Sequence, residues 1–177
     1  MIGYLGLGSN VGDRLANLQG AVAALRQHGI EILAASSVYE TEPVGLIVEQ
    51  ADFYNACLRI ETGAQPEELL NIAKAVEGEL GRGPGGPRHG PRPIDIDILL
   101  VGELQHRSER LTLPHPEVTS RRFVLVPLLE LDSELALPDG TDLHRTLDAL
   151  GPGQEVGRVA GPDSILPNIS RPPHAPA

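Results

Sequence analysis

Three isoleucines and two aspartates alternate through Ile94-Asp95-Ile96-Asp97-Ile98, and Leu99-Leu100-Val101 continue the run without a polar break. Period two is the pattern of a β-strand, so the isoleucines share one face and the carboxylates the other. The unbroken apolar end predicts that this strand runs into a core covered on both faces. The Cα atoms of the two aspartates then lie about 6.5–7 Å apart. Carboxylates at that spacing can converge on one hard cation or on a close pair of them. An Asp-x-Asp pair can equally be the solvated face of a half-buried sheet. Against that, Asp is a poor strand former, and two on one strand cost stability that nothing local offsets. Just upstream, Gly90-Pro91-Arg92 delivers a guanidinium to the same end of the strand. Acids able to hold a metal, beside an arginine, suit a site that handles phosphate.

The rest of the chain supplies a frame for that strand. Residues 2–8 read as a short buried strand, and Leu15, Leu18, Val22 and Leu25 as the apolar stripe of a helix capped by Asp13 or Asn10 and closed by Gly29. Ile30–Thr41 reads as one strand and Phe53–Thr62 as the next. Pro66 opens a second helix with Glu67 and Glu68 in its first turn and Leu69, Ile72, Ala73, Val76 and Leu80 inward. The order β-α-β-β-α-β predicts an α+β, ferredoxin-like core with helices on one face of a mainly antiparallel sheet, the other face or its rim being left to ligands. Beyond it the pattern predicts a short extended piece through Leu113, a run from Glu117 to Leu131 broken at Pro127, and a helix over Leu143–Leu150, a C-terminal extension of hairpin and helices. Residues 1–150 read as one domain and 151–177, rich in Pro and Gly, as a disordered tail.

Composition narrows the function. A formal net charge of −10 argues against nucleic acid as a partner. No apolar run approaches the about 20 residues of a membrane span, the start lacks a basic signal-peptide region, and Cys57 is alone, so a cytoplasmic location is the expectation. Every basic residue except Lys74 is arginine, and Arg82, Arg88, Arg92, Arg110, Arg121 and Arg122 crowd around the aspartates. The planar guanidinium suits bidentate phosphate contacts, so a local cationic pocket in an acidic chain is the natural reading. Residues 81–91, full of Gly and Pro and carrying two of these arginines, suit a lid over such a site. No Gly-x-x-x-x-Gly-Lys-Ser/Thr, Rossmann or protein-kinase pattern is present, and Gly8-Ser9-Asn10 reads as a tight turn with a helix cap.

Arg88 to Leu99 resembles the signature segment of the 6-hydroxymethyl-7,8-dihydropterin pyrophosphokinase family. Gly8-Ser9-Asn10, Ser37 to Gly45, Phe53-Tyr54-Asn55-Ala56, Leu111 to Pro116 and Arg121 to Leu128 resemble further family segments in the same order, over about residues 2–140. The resemblance implies transfer of pyrophosphate from ATP to the hydroxymethyl oxygen of the pterin, with release of AMP, by a monomer acting on small molecules. It implies two Mg²⁺ ions on Asp95 and Asp97, with Arg82 and Arg92 joining them in catalysis. Glu77, Arg82, Arg88, Arg92, Ile98, Arg110, Thr112, His115 and Arg121 match ATP-binding positions, and Thr41, Pro43, Val44, Phe53, Asn55 and Phe123 match pterin-binding ones. With no Trp and two Phe in the chain, both Phe fall where the family sandwiches the flat ring. His89 stands where some members carry Trp, residues 83–87 are Gly/Pro-rich where others are basic, and 44–50 also departs from some relatives. The acid pair would equally serve another Mg²⁺-dependent phosphoryl or nucleotidyl transferase, and the arginines a non-catalytic anion-binding module.

Overall fold

The structure, a computed structural model, describes residues 1–43, 50–81 and 93–167. β1 (Ile2–Ser9) leads into α1 (Arg14–Gln27), whose first turn is capped by the Asp13 carboxylate accepting from the Ala16 N–H at 3.0 Å. β2 (Glu31–Ala35) and β3 (Val38–Thr41) both pair antiparallel with β4 (Phe53–Glu61). α2 (Pro66–Glu79) starts on proline, with Gln65 and Glu68 forming a reciprocal capping box. β5 (Asp95–Val101) then pairs with β1, and the order across the sheet is β5-β1-β4-β3-β8, with β2 also on β4. β6 (His106–Arg107) and β7 (Thr112–Leu113) form a separate hairpin. The chain ends with α3 (Arg122–Leu131), α4 (Leu143–Leu150), β8 (Val156–Ala160) and a 3₁₀ turn at Pro162–Ser164.

The ferredoxin-like order holds, with three departures from the sequence reading. The single strand expected over Ile30–Thr41 is two, because at Ser36 and Ser37 side-chain bonds take over part of the ladder, the Ser36 N–H still donating to the Cys57 carbonyl at 2.9 Å. The Ser36 hydroxyl accepts from the Cys57 N–H at 2.8 Å and donates to the Ser37 carbonyl at 2.8 Å. The Ser37 N–H and hydroxyl both donate to the Glu130 carboxylate of α3, at 3.0 and 2.6 Å. Second, Pro127 does not break the run that contains it. It removes one ladder bond, but Val124, Leu125, Leu128 and Leu129 are buried around it, and that packing holds the helix together. Third, the tail expected to be disordered is built into the fold in part. β8 extends the sheet by pairing antiparallel with β3, and Ile165 is buried in the core. Residues 168–177 lie outside the described residues.

Helices also cover more of the sheet than expected. α1 and α2 pack on one face, where Leu5, Leu7, Leu58, Ile60, Ile96 and Ile98 meet Leu18, Leu25, Leu69 and Val76. On the opposite face Tyr4, Cys57 and Leu99 meet Val124, Leu125, Leu128 and Leu143 of α3 and α4. The face expected to be left to ligands is thus shared. α3 and α4 take one part of it, and the rest is a pocket at the start of α3.

Candidate active site

β5 turns both aspartates to the pocket, as its alternation requires. The register sets Asp95 beside Gly8 and Asp97 beside Gly6 of β1, while Ile94, Ile96 and Ile98 enter the α1/α2 core. A side chain on Gly8 would place its Cβ 3.1 Å from the Asn55 Oδ1 and 3.5 Å from the Phe53 ring, so only glycine keeps this floor open. Read as a turn and cap in the sequence, Gly8 and Ser9 are instead the end of β1, and Asn10 spends its amide on the Gln50 side chain and the Ala51 carbonyl. Alternating Gly6 and Gly8 opposite the acid pair is the signal that marks this floor.

The next strands supply the other walls. Phe53 and Asn55 come from β4, and Thr41 and Glu42 from the end of β3. The Asn55 amide donates to the Thr41 hydroxyl at 2.5 Å, which fixes its plane. Arg121, the residue before α3, and Phe123 in its first turn close the pocket from above, with the guanidinium carbon 5.4 Å from the Phe123 ring centroid. Arg121 is also paired with Glu117. An aromatic pair, an amide and two carboxylates therefore face one cavity. Pro43 lines an adjoining cleft with Glu42, Arg121 and Phe123.

The electrostatics follow from crowding. Burial, then the neighbouring Asp95 carboxylate, push Asp97 up to about 7, while Arg121 and Lys74 pull the other way. Two carboxylates that repel each other on one strand are both eased by a shared cation. They also supply the one or two protein oxygens that a magnesium ion uses when phosphate and water complete its shell, so the donor set fits that metal. His115 sits close enough for Asp95 and Arg121 to act on it, and burial holds it below the usual imidazole range. Its Nδ1 accepts from the Glu117 N–H at 3.1 Å, so the neutral ring presents Nε2–H as a donor.

Other expected residues land elsewhere. Glu77 is 3% exposed, so it is no solvated helix face. Its Oε1 accepts from the Ile96 N–H at 2.9 Å, between the two aspartates, and its Oε2 lies 3.3 Å from the Lys74 ammonium. It therefore braces the acid-bearing strand from α2. The Ile98 side chain is buried on the face away from the aspartates, opposite Leu5 in the β5–β1 ladder. Arg110 is exposed and held by Asn71 at 2.7 Å and Glu67 at 3.6 Å, and it is not among the pocket walls. Thr112 and His115 line a second, open groove with Leu137 and Asp139. Arg82, Arg88, Arg92, Val44 and His89 lie outside the described residues.

Residues 4–133 match the family described as 7,8-dihydro-6-hydroxymethylpterin-pyrophosphokinase. The 2-amino-4-hydroxy-6-hydroxymethyldihydropteridine pyrophosphokinase of Bacillus subtilis (strain 168) is 46% identical over 131 residues, covering 73% of this chain and 77% of that one. A folate synthesis bifunctional protein of Arabidopsis thaliana is 44% identical over 127 residues, covering 72% of this chain and 26% of that one. The chain thus spans about a quarter of the length of that plant relative. A Plasmodium falciparum HPPK-DHPS structure solved with pteroate superposes with a TM-score of 0.66 at 16% identity, over 84% of this chain and 42% of that one, a likeness of fold. With the family matched along most of its length, the chain belongs to the 7,8-dihydro-6-hydroxymethylpterin-pyrophosphokinases.

Proposed function

We propose that the chain transfers pyrophosphate from ATP to 6-hydroxymethyl-7,8-dihydropterin and releases AMP, a step of folate biosynthesis. The observation that carries this reading is the single cavity in which Asp95 and Asp97 face Phe53, Asn55 and Phe123. A flat heterocycle would stack on the two phenylalanine rings that line this cavity, with the Asn55 amide and the Thr41 hydroxyl on its polar edge. Pro43 extends that wall, and Val44 follows it in the chain. Asp95 and Asp97 would hold two Mg²⁺ ions, which when bound supply positive charge to the phosphoryl oxygens.

The roles of the remaining residues follow from their charge and placement. Arg121, already tilted over Phe123, would exchange its Glu117 partner for triphosphate oxygens. His115 would donate from Nε2 to the same group, while Arg82, Arg88, Arg92, Arg110, Thr112 and Ile98 complete the nucleotide side. The pterin hydroxyl oxygen bonds to the β-phosphorus and gives up its proton to solvent water, the bond from that phosphorus to the oxygen bridging it to the α-phosphorus breaks, and AMP leaves with that oxygen. Catalysis is then mostly positioning and electrostatic stabilisation. Glu77 takes part by holding the strand that carries the aspartates. The same reading has the chain acting as a cytoplasmic monomer. Among the described residues no helix is long and apolar enough to cross a membrane.

The test is a product assay with Mg²⁺, ATP and the pterin. Pterin-dependent AMP is the expected result, lost in Asp95→Ala and Asp97→Ala chains that keep their fold. ADP in place of AMP would make the enzyme a simple kinase. Retained turnover in either variant would overturn the metal assignment.

A further inference from the structure

Two walls of the pocket reach it from distant parts of the chain. Thr41 ends β3 and Glu42 follows it, while Arg121 caps α3 and Phe123 lies in its first turn. Between them runs the segment after α4. Arg122 donates from Nε to the Gln154 carbonyl at 3.2 Å and from Nη1 to the Gly151 carbonyl at 3.1 Å. The Gln154 amide donates in turn to the Glu42 carbonyl at 2.7 Å. Val156, two residues on, is already paired with Thr41 in the β8–β3 ladder. The ladder of β3 with β4 also stops at Thr41, so Glu42 is the first residue of this wall with no strand partner in that ladder. A cleft lined by Glu42, Arg122, Phe123 and Gln154 marks the meeting point.

We propose that Gln154 is a positioning residue for the pterin subsite, anchored by Arg122. Its amide holds the Glu42 carbonyl, and so the end of β3, at a set distance from the α3 start that carries Phe123. The family match ends at residue 133, so the clasp fastens two matched segments with a residue from beyond the match. The proposal rests on the pterin reading of Phe53, Asn55 and Phe123. One side-chain hydrogen bond at a half-exposed position is worth about five-fold in an equilibrium.

The experiment measures kcat and both KM values on the full chain for Gln154→Ala, Gln154→Glu and Asn55→Ala. Gln154→Glu keeps size but has no proton to give the carbonyl. Both Gln154 variants are expected to raise the pterin KM about five-fold, with ATP KM and kcat within about two-fold of the parent. An unchanged pterin KM, or equal rises in both KM values, would overturn the clasp. Asn55→Ala separates the two ideas. If it raises the pterin KM while the Gln154 variants do not, only the clasp fails. If Asn55→Ala leaves the pterin KM unchanged, the subsite reading fails, and the clasp with it.

Discussion

A methyl group on Gly8 would sit 3.1 Å from the Asn55 Oδ1 and 3.5 Å from the Phe53 ring, with Asn55 already tied to Thr41. The overpacking this forces is usually worth about 1–3 kcal/mol. Gly8→Ala should therefore raise the pterin KM by about ten-fold; steady-state kinetics checks this, and an unchanged KM would remove Gly8 from the site. Asp97 gives a prediction with a sign. Its folded-state carboxyl is lifted to about 7, so the native state holds a proton that the unfolded chain releases nearer the ordinary carboxylate value. The stability that Asp97 contributes is complete at acid pH and is lost as pH rises toward 7. In melts from pH 4.5 to 8, Asp97→Asn should gain on the parent as pH rises, and saturating Mg²⁺ should flatten the parent's fall. A difference between variant and parent that does not change with pH would contradict the lifted carboxyl.

At the scale of elements, the acid-bearing strand depends on a helix. β5 ends the sheet, and the Ile96 N–H between its aspartates finds its acceptor in Glu77 of α2. Removing that carboxylate leaves a buried donor unpaired, at a cost of about 1–3 kcal/mol. Glu77→Ala should lower the urea-unfolding free energy by that amount and kcat with it, whereas a residue on a solvated helix face would shift stability by less than about 0.5 kcal/mol. What was legible in the sequence divides along the same line of local against distant. The alternation in residues 94–98 is local, and it aimed both carboxylates correctly; so were the helix starts at Asp13 and Pro66. The kink at Ser36–Ser37 could not be read, because its substitute partner Glu130 lies 93 residues from Ser37. Glu77 was found as a position, but its task appears only when α2 and β5 are packed together. Arg110 was read from its charge, and its contacts with Asn71 and Glu67 come from α2, about forty residues earlier, so they too appear only in the fold.

At the scale of the molecule, the last described stretch locks the sheet from outside. Ile165 is buried in the α1/α2 core although it follows a run of Gly and Pro. Ile165→Ala should cost about 2–5 kcal/mol, which a denaturant titration would register; a cost near zero would return residues 161–167 to the status of a tail. That stretch was illegible because its composition speaks for disorder, while its partners β2 and β3 lie more than a hundred residues earlier.

The pairing of β8 with β3 has a colloidal consequence. A bare sheet edge invites strands from other molecules, and without β8 the β3 edge, from Val38 to Thr41, would be such an invitation. β8 fills it from within the same chain and presents in its place a short strand carrying Gly157 and an exposed Arg158, a poor template for stacking. A chain ending at residue 150 should accordingly scatter light at concentrations where the full chain stays clear. The segment with the least regular composition would then be what keeps these molecules apart.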